Sequence, residues 1–303
     1  MSNASLRLVD LFCGPGGISE GFRTAGIPTV FAVDYEKDAC ATFALNHPES
    51  KVICADVLTI DPNDIPDADI IVGGPPCVNF STSKGSRANI LDGLKLVQWF
   101  LRVIAIKKPK YWIMENVPRI AKHLPEKIPY SWIGLDRKGF LHVPRRDYFN
   151  SADFGVAQSR MRYLVGNYPT PEPTHIDQKN IDLFSNSEKN WRTLHDILAA
   201  LSAKEEITDP NYGFQISDVR LTDNEMDTSI SDEEIARIRS AKEEHPYMGR
   251  MAFPDELGKP ARTIVATQLG RETLVLKSKN GSVVTQLKSK QVFTRRIQLE
   301  GRS

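Results

Sequence analysis

The sequence predicts an α/β fold, a doubly wound and mostly parallel sheet followed by a second, smaller and irregular domain. Three observations predict it. Short apolar runs alternate with helix-compatible stretches through the first half of the 303-residue chain. Glycine-rich or acidic residues stand directly after those runs, where an open α/β sheet binds ligands. Alternating prolines from Asn167 to His175 then stop both helix and strand. The expected layout is a first domain over 5–168, a linker over 169–176 and a second region over 177–303.

Leu6 to Phe12 is a β-type run followed by Cys13-Gly14-Pro15-Gly16-Gly17 and a helix-compatible stretch, Ile18 to Ala25. Strand, glycine-rich turn and helix bring backbone close to a nucleotide-like ligand beside a helix N-terminus. The next strand, Pro28 to Val33, ends in Asp34, about 20 residues on, where an acid would hold ribose hydroxyls. A third strand, Lys51 to Cys54, precedes Asp56. Each acid is either a ligand contact or a cap and turn former. Three strand ends carrying the glycine-rich turn and the two acids in succession favour the first reading.

Ala68 to Val72 is a buried-type strand that runs into Gly73-Gly74-Pro75-Pro76-Cys77-Val78-Asn79-Phe80-Ser81. The prolines stiffen the turn and remove two backbone donors, so Cys77 is held in one orientation. Such a cysteine is either a small packed hydrophobe or a nucleophile. A helix is expected over Asp92 to Ile106. Tyr111 to Met114 reads as a further strand, ending in Glu115-Asn116-Val117, and Gln158-Ser159-Arg160-Met161-Arg162 precedes the strand Tyr163 to Val165.

With these residues the chain resembles the DNA (cytosine-5) methyltransferase family. Motif I of that family matches Asp10 to Gly17, motif IV Gly73 to Ser81, motif VI Glu115-Asn116-Val117, and motif VIII Gln158-x-Arg160-x-Arg162. The motifs come in the family's order across roughly residues 6–166, and the set is far more specific than any one tripeptide. The resemblance implies a Rossmann-like sheet with an antiparallel strand within Tyr148 to Val165. It also implies S-adenosyl-L-methionine as cofactor and double-stranded DNA as substrate, in an enzyme of the bacterial restriction-modification type. The RNA-directed branch of the family, which methylates tRNA with similar motifs, is the alternative.

The chemistry explains the residue types. C5 of cytosine is a poor nucleophile, and a thiolate adding at C6 pushes electrons into the ring; the resemblance gives that role to Cys77. A thiolate needs a lowered pKa or nearby positive charge. Glu115 is implied to contact N3 and the exocyclic amine and to act there as a protonated acid. Arg162 resembles the arginine that holds O2, where a permanent charge meets developing negative charge. Arg160 takes the part of a supporting residue that pairs with an acid. Phe12, Gly14, Pro15, Gly16 and Gly17 would wrap the methionine part of the cofactor, and Asp34 its ribose. Tyr35 would stack beside the adenine, Asp56 would accept its amino group and Val57 would lie against the ring. Pro76 and Leu96 would complete the wall, although Leu96, on a helix, is equally at home in the core.

A pocket of this kind reaches a duplex cytosine only if the nucleotide is flipped out, which costs roughly a few kcal/mol. Ser81-Thr82-Ser83-Lys84-Gly85-Ser86-Arg87 follows Cys77 directly and is small, polar and basic. It is either a solvated loop or a loop closing over DNA phosphates, in which Ser81, Ser83, Lys84 and Arg87 would touch the backbone.

Composition sets bounds on all of this. At 41% hydrophobic residues and net charge +1, the chain can bury one large core plus a smaller domain. No run approaches ~18 uninterrupted apolar residues, and the N-terminus carries no signal-peptide h-region. The four cysteines have neither zinc-ligand spacing nor disulfide-rich density. The expected location is therefore cytoplasmic, at the nucleoid through DNA. Charge is uneven: Lys259 to Ser303 has ten Lys/Arg against two acids, and Lys204 to Glu244 has twelve acids against five basic residues. The basic end either faces phosphate or is a solvated tail.

The resemblance places a target-recognition region after the linker, with Pro260 to Leu274 leading towards motif IX. Residues 277–303 match neither motif IX nor the motif X whose helix completes the cofactor wall. A second polypeptide carrying both motifs is therefore an expected partner, with the chain by itself weak or inactive.

Overall fold

The computed structural model describes residues 6–76, 90–177, 189–196, 258–261, 273–277 and 283–288. Chain contacts divide it into two units, one of residues 1–149 with 161–171, the other of 150–160 with 172–303.

The first unit is built on a seven-stranded sheet. Its strands begin with β1 (Leu8–Leu11), β2 (Thr29–Asp34), β3 (Lys51–Cys54), β4 (Ile70–Gly73) and β5 (Tyr111–Asn116). Helices α1 (Gly17–Thr24), α2 (Lys37–Asn46) and α3 (Ile90–Lys107) alternate with them. Two short strands, β6 (Ile128–Pro129) and β7 (Phe140–Leu141), pair as a separate antiparallel ribbon. The chain returns to the sheet with β8 (Arg145–Asn150) and β9 (Met161–Asn167), giving the order β3-β2-β1-β4-β5-β9-β8. Pairings from β3 through β5 are parallel, and β9 is antiparallel to β5. The sheet is thus the doubly wound, mostly parallel α/β type, with an antiparallel strand that starts inside the expected Tyr148 to Val165 region and runs two residues beyond it, to Asn167.

Apolar residues on both faces of the parallel strands explain the two layers. Val9, Leu11, Phe31, Val33 and Ile71 join Val97, Phe100, Leu101 and Ile104 of α3 in the main core. Leu8, Ile70 and Val72 face the other way and meet Ile18 and Phe22 of α1, while Ala32 meets Phe43 of α2. Strand order reverses between β1 and β4, and the crevice at such a switch point is where α/β sheets bind ligands.

One boundary differs from expectation in a way that matters. β5 continues through Glu115 and Asn116, because the antiparallel ladder runs on, Glu115 opposite Leu164 and Asn116 opposite Tyr163. Strand alternation buries Trp112, Met114 and Asn116 and leaves Glu115 on the half-buried side.

In the second unit, the segment 150–160 is tied by Asn150, whose Oδ1 accepts from the Ala152 and Arg160 amides at 3.2 and 2.9 Å. The Ser159 amide donates to Ala261 O at 2.7 Å, and Trp191 Nε1 donates to Asp153 Oδ1 at 2.8 Å. β10 (His175–Ile176) pairs with β11 (Lys189–Asn190), and β12 (Thr273–Lys277) pairs antiparallel with β13 (Val283–Lys288). No described helix is long and apolar enough to cross a membrane.

Candidate active site

The turn after β1 is strained where it would face a ligand. Phe12 has φ 62°, unusual for a residue with a side chain, and its ring meets Trp99 edge-on at 6.0 Å between centroids. Gly16, the N-cap of α1, has φ 102° and offers no side-chain cap. An ideal Cβ at Gly16 would lie 2.9 Å from His47 Nε2 and 3.1 Å from Phe43, so only glycine fits. Support for α1 comes from below, where Ser19 Oγ donates to Asp10 Oδ2 at 2.6 Å.

Asp34, at the end of β2, holds this turn across the sheet edge. Its Oδ2 accepts from the Gly14 amide at 2.9 Å, and its Oδ1 accepts from the Glu36 amide at 2.9 Å. A carboxylate has about four acceptor sites, so each oxygen keeps capacity for a hydroxyl. Tyr35 next to it is 71% exposed. Asp56 caps the short helix Val57–Thr59 through Leu58 N at 2.9 Å. Val57 is buried in the core and Leu96 is partly buried against it, while Pro15 and Gly17 stand exposed. An open aromatic face, an acid with spare acceptor sites and a glycine turn at a helix N-terminus fit an adenosyl group with an anionic tail.

The turn after β4 lies on the other side of the switch point. Gly73 has no room for a side chain, since a Cβ would sit 2.5 Å from Leu11 O and 2.7 Å from Phe100. Asn116 Nδ2 donates to Pro75 O at 3.0 Å, and its Oδ1 accepts from the Val117 amide at 2.9 Å. This buried amide pins the proline turn that carries Pro76. Cys77, Ser81, Ser83, Lys84 and Arg87 lie outside the described residues. Glu115 stands beside the same turn, its Oε2 3.4 Å from a Cβ built on Gly74.

Arg162 Nε pairs with Glu115 Oε1 at 2.5 Å, both side chains being partly exposed, and Arg162 Nη1 donates to Met161 O at 2.8 Å. Arg162, the residue expected to hold O2, is thus the arginine that meets Glu115. Residues one apart on an extended strand face oppositely, whereas Arg160 and Arg162, two apart, would share a face only if both lay on the strand. Arg160 precedes β9 and belongs with the second unit, where its amide binds Asn150. In the sequence Asn116 stands out only as a member of the Glu115-Asn116-Val117 motif. Its anchoring role follows from β5 running one turn of the ladder further than its apolar run.

The curated relatives extend this reading. Type II methyltransferase M.AquIA of Picosynechococcus sp. is 34% identical over 224 residues, covering 64% of this chain and 88% of that one. Type II methyltransferase M1.HphI of Haemophilus parahaemolyticus is 31% identical over 192 residues, 58% of this chain and 51% of its own. Type II methyltransferase M.DdeI of Desulfomicrobium norvegicum is 33% identical over 173 residues, 53% of this chain and 40% of its own. The chain thus spans most of the first relative and about half or less of the other two. A family model described as C-5 cytosine-specific DNA methylase matches residues 6–293, and the chain belongs to that family.

Proposed function

We propose that this chain transfers a methyl group from S-adenosyl-L-methionine to C5 of cytosine in double-stranded DNA, as part of bacterial restriction-modification. One observation carries the reading. Glu115 pairs with Arg162 beside the Asn116-pinned turn after β4, and the glycine turn held by Asp34 follows β1, the neighbouring strand at the switch point. The family membership and the relatives' names as Type II methyltransferases support it.

The Cys77 thiolate adds to C6, forming a C–S bond and driving the ring electrons towards N3 and O2. Glu115 donates a proton at N3, and Arg162 balances the charge at O2. When bound, the cofactor supplies an electrophilic methyl group to C5. Loss of the C5 proton to water then breaks the C–S bond and expels Cys77 as thiolate, and N3 returns its proton to Glu115, which restores the ring. Phe12, Gly14 to Gly17, Asp34, Tyr35, Asp56, Val57, Pro76 and Leu96 form the cofactor wall in this reading. Arg160 is a supporting residue that pairs with an acid. Ser81, Ser83, Lys84 and Arg87 contact DNA phosphates, residues 177–303 recognise the target sequence, and the enzyme works in the cytoplasm on nucleoid DNA.

The test is tritiated methyl transfer to duplex DNA and, separately, to tRNA, followed by base analysis. 5-Methylcytosine in DNA alone supports the proposal; label only in tRNA moves the substrate to RNA, and no label in either removes the activity from the chain acting alone.

We further infer that a second polypeptide carrying motifs IX and X completes the cofactor wall. Residues 277–303 show no recognisable motif IX or motif X. Adding such a polypeptide should restore methylation and raise the melting temperature. Methylation by purified chain 1–303 at the rate of complete family enzymes would end this reading.

A further inference from the structure

We propose that His47 sets the preference of the glycine turn for the anionic amino-acid end of its ligand, an inference that rests on the cofactor reading above. His47 is the C-cap of α2, and its amide closes the helix on Phe43 O at 2.8 Å. Its side chain folds back over the helix, 4.6 Å from the Phe43 ring between centroids, and is 99% buried. Among the described residues, neither of its buried ring nitrogens has a hydrogen-bond partner. The two aromatic rings make a platform on which Gly16 sits, with His47 Nε2 and Cδ2 as the atoms a Cβ there would strike first.

A platform alone does not call for histidine. Phe or Leu would pack against Phe43 and leave no buried polar atom unsatisfied, a defect that destabilises a fold. The imidazole is kept directly beneath the residue that caps α1. That helix begins with no side-chain cap at Gly16, so its N-terminus carries positive potential into the turn. The groups facing His47 are acidic: Glu49 Oε1 lies 3.9 Å from Nδ1, and Glu20 on α1 is within electrostatic reach. An imidazole between two acids and the first turn of α1 places a polar ring nitrogen under the glycines. The amino-acid end of S-adenosylmethionine, and of its product S-adenosylhomocysteine, carries a carboxylate. The adenosine end does not. His47 is a positioning residue in this account, acting through Gly16 and the α1 N-terminus.

Calorimetry with two probes separates this role from packing. S-Adenosylhomocysteine carries the amino-acid end, and 5′-methylthioadenosine lacks it. His47→Phe should weaken S-adenosylhomocysteine about tenfold and leave 5′-methylthioadenosine unchanged, with His47→Leu as a second replacement should the larger ring disturb folding. Unchanged affinity for S-adenosylhomocysteine in a folded variant overturns the proposal, as does equal weakening of both probes, which marks a structural role. If the parent chain binds neither probe even with the polypeptide carrying motifs IX and X added, the cofactor reading itself fails, a result distinct from either of these.

Discussion

Arg162 and Glu115 are joined across adjacent antiparallel strands by an ion pair of 2.5 Å, Arg162 lying two residues, and so on the same face, from Leu164, which stands directly opposite Glu115. The pair holds both catalytic candidates in place before a base arrives. In the proposed reaction each must turn part of its bonding towards the pyrimidine, Glu115 to N3 and Arg162 to O2. Arg162→Ala should lower kcat by about 10²–10³-fold, the usual loss when one charge-stabilising donor is removed. Affinity for S-adenosylhomocysteine should stay the same, since Arg162 is not in that pocket. Single-turnover methylation at saturating DNA checks this, and a variant with parental kcat would remove Arg162 from the chemistry. Arg162→Lys should recover little, because a point charge does not reproduce the guanidinium fork.

Asn116 offers a subtler test. Its amide joins Pro75 O to the end of β5, so it orients the turn without touching substrate. Asn116→Ala leaves a buried carbonyl without its donor and should destabilise the fold by about 1–3 kcal/mol. It should lower kcat more than it weakens cofactor binding. Equal kcat in parent and variant would show that the turn holds its shape without this bond.

Cys77 is assigned from the chain order alone, because it follows Pro76 in the Gly73 to Ser81 motif. Cys77→Ser should bind cofactor yet transfer no methyl group. The parent should be trapped as a covalent adduct on DNA containing 5-fluorocytosine, since fluorine cannot leave as the C5 proton does. Mass spectrometry of the trapped complex reads this out, and a mass shift on any other residue would displace Cys77 as nucleophile.

Asp34 is expected to serve two ends, the ligand and the turn. Its bond to the Gly14 amide ties β2 to the glycine turn, and its remaining lone pairs suit ribose hydroxyls. Asp34→Ala should weaken S-adenosylhomocysteine by roughly 1.5–3 kcal/mol, the worth of charge-assisted hydrogen bonds. Calorimetry giving parental affinity would take Asp34 out of the pocket.

Much of this architecture was legible in the sequence, for a physical reason. Parallel strands buried on both faces are nearly continuous apolar runs, so β1, β2, β4 and β5 announce themselves. Their carboxyl ends then fall on Gly14, Asp34, Gly74 and Glu115 without further assumption. Three things were not legible. The extension of β5 through Glu115 and Asn116 depends on pairing with β9, 47 or more residues away in the chain, which no local pattern encodes. The pairing of Arg162 with Glu115 follows from that same register. His47 carries no motif, and its place under Gly16 arises only when α1 and α2 pack on one face of the sheet.

Asp10 yields a prediction about pH. It lies fully buried in β1, with Oδ2 bonded to Ser19 and Oδ1 without a partner among the described residues. Burial pushes its carboxyl up to about 7, against the pull of its Ser19 bonds, and the nearby Asp34 charge adds to the rise. The unfolded chain releases this proton near the ordinary aspartate value of about 3.9. Between these two values the native state holds a proton that the unfolded state has lost. Stability from this group is therefore full below about pH 4 and declines as pH rises towards 7. Asp10→Asn keeps the shape and an acceptor for Ser19 but cannot ionise. Urea unfolding from pH 5 to 8 should show the parent losing stability relative to Asp10→Asn as pH rises. Parallel stability curves for the two proteins would mean that Asp10 titrates alike in the folded and unfolded chains.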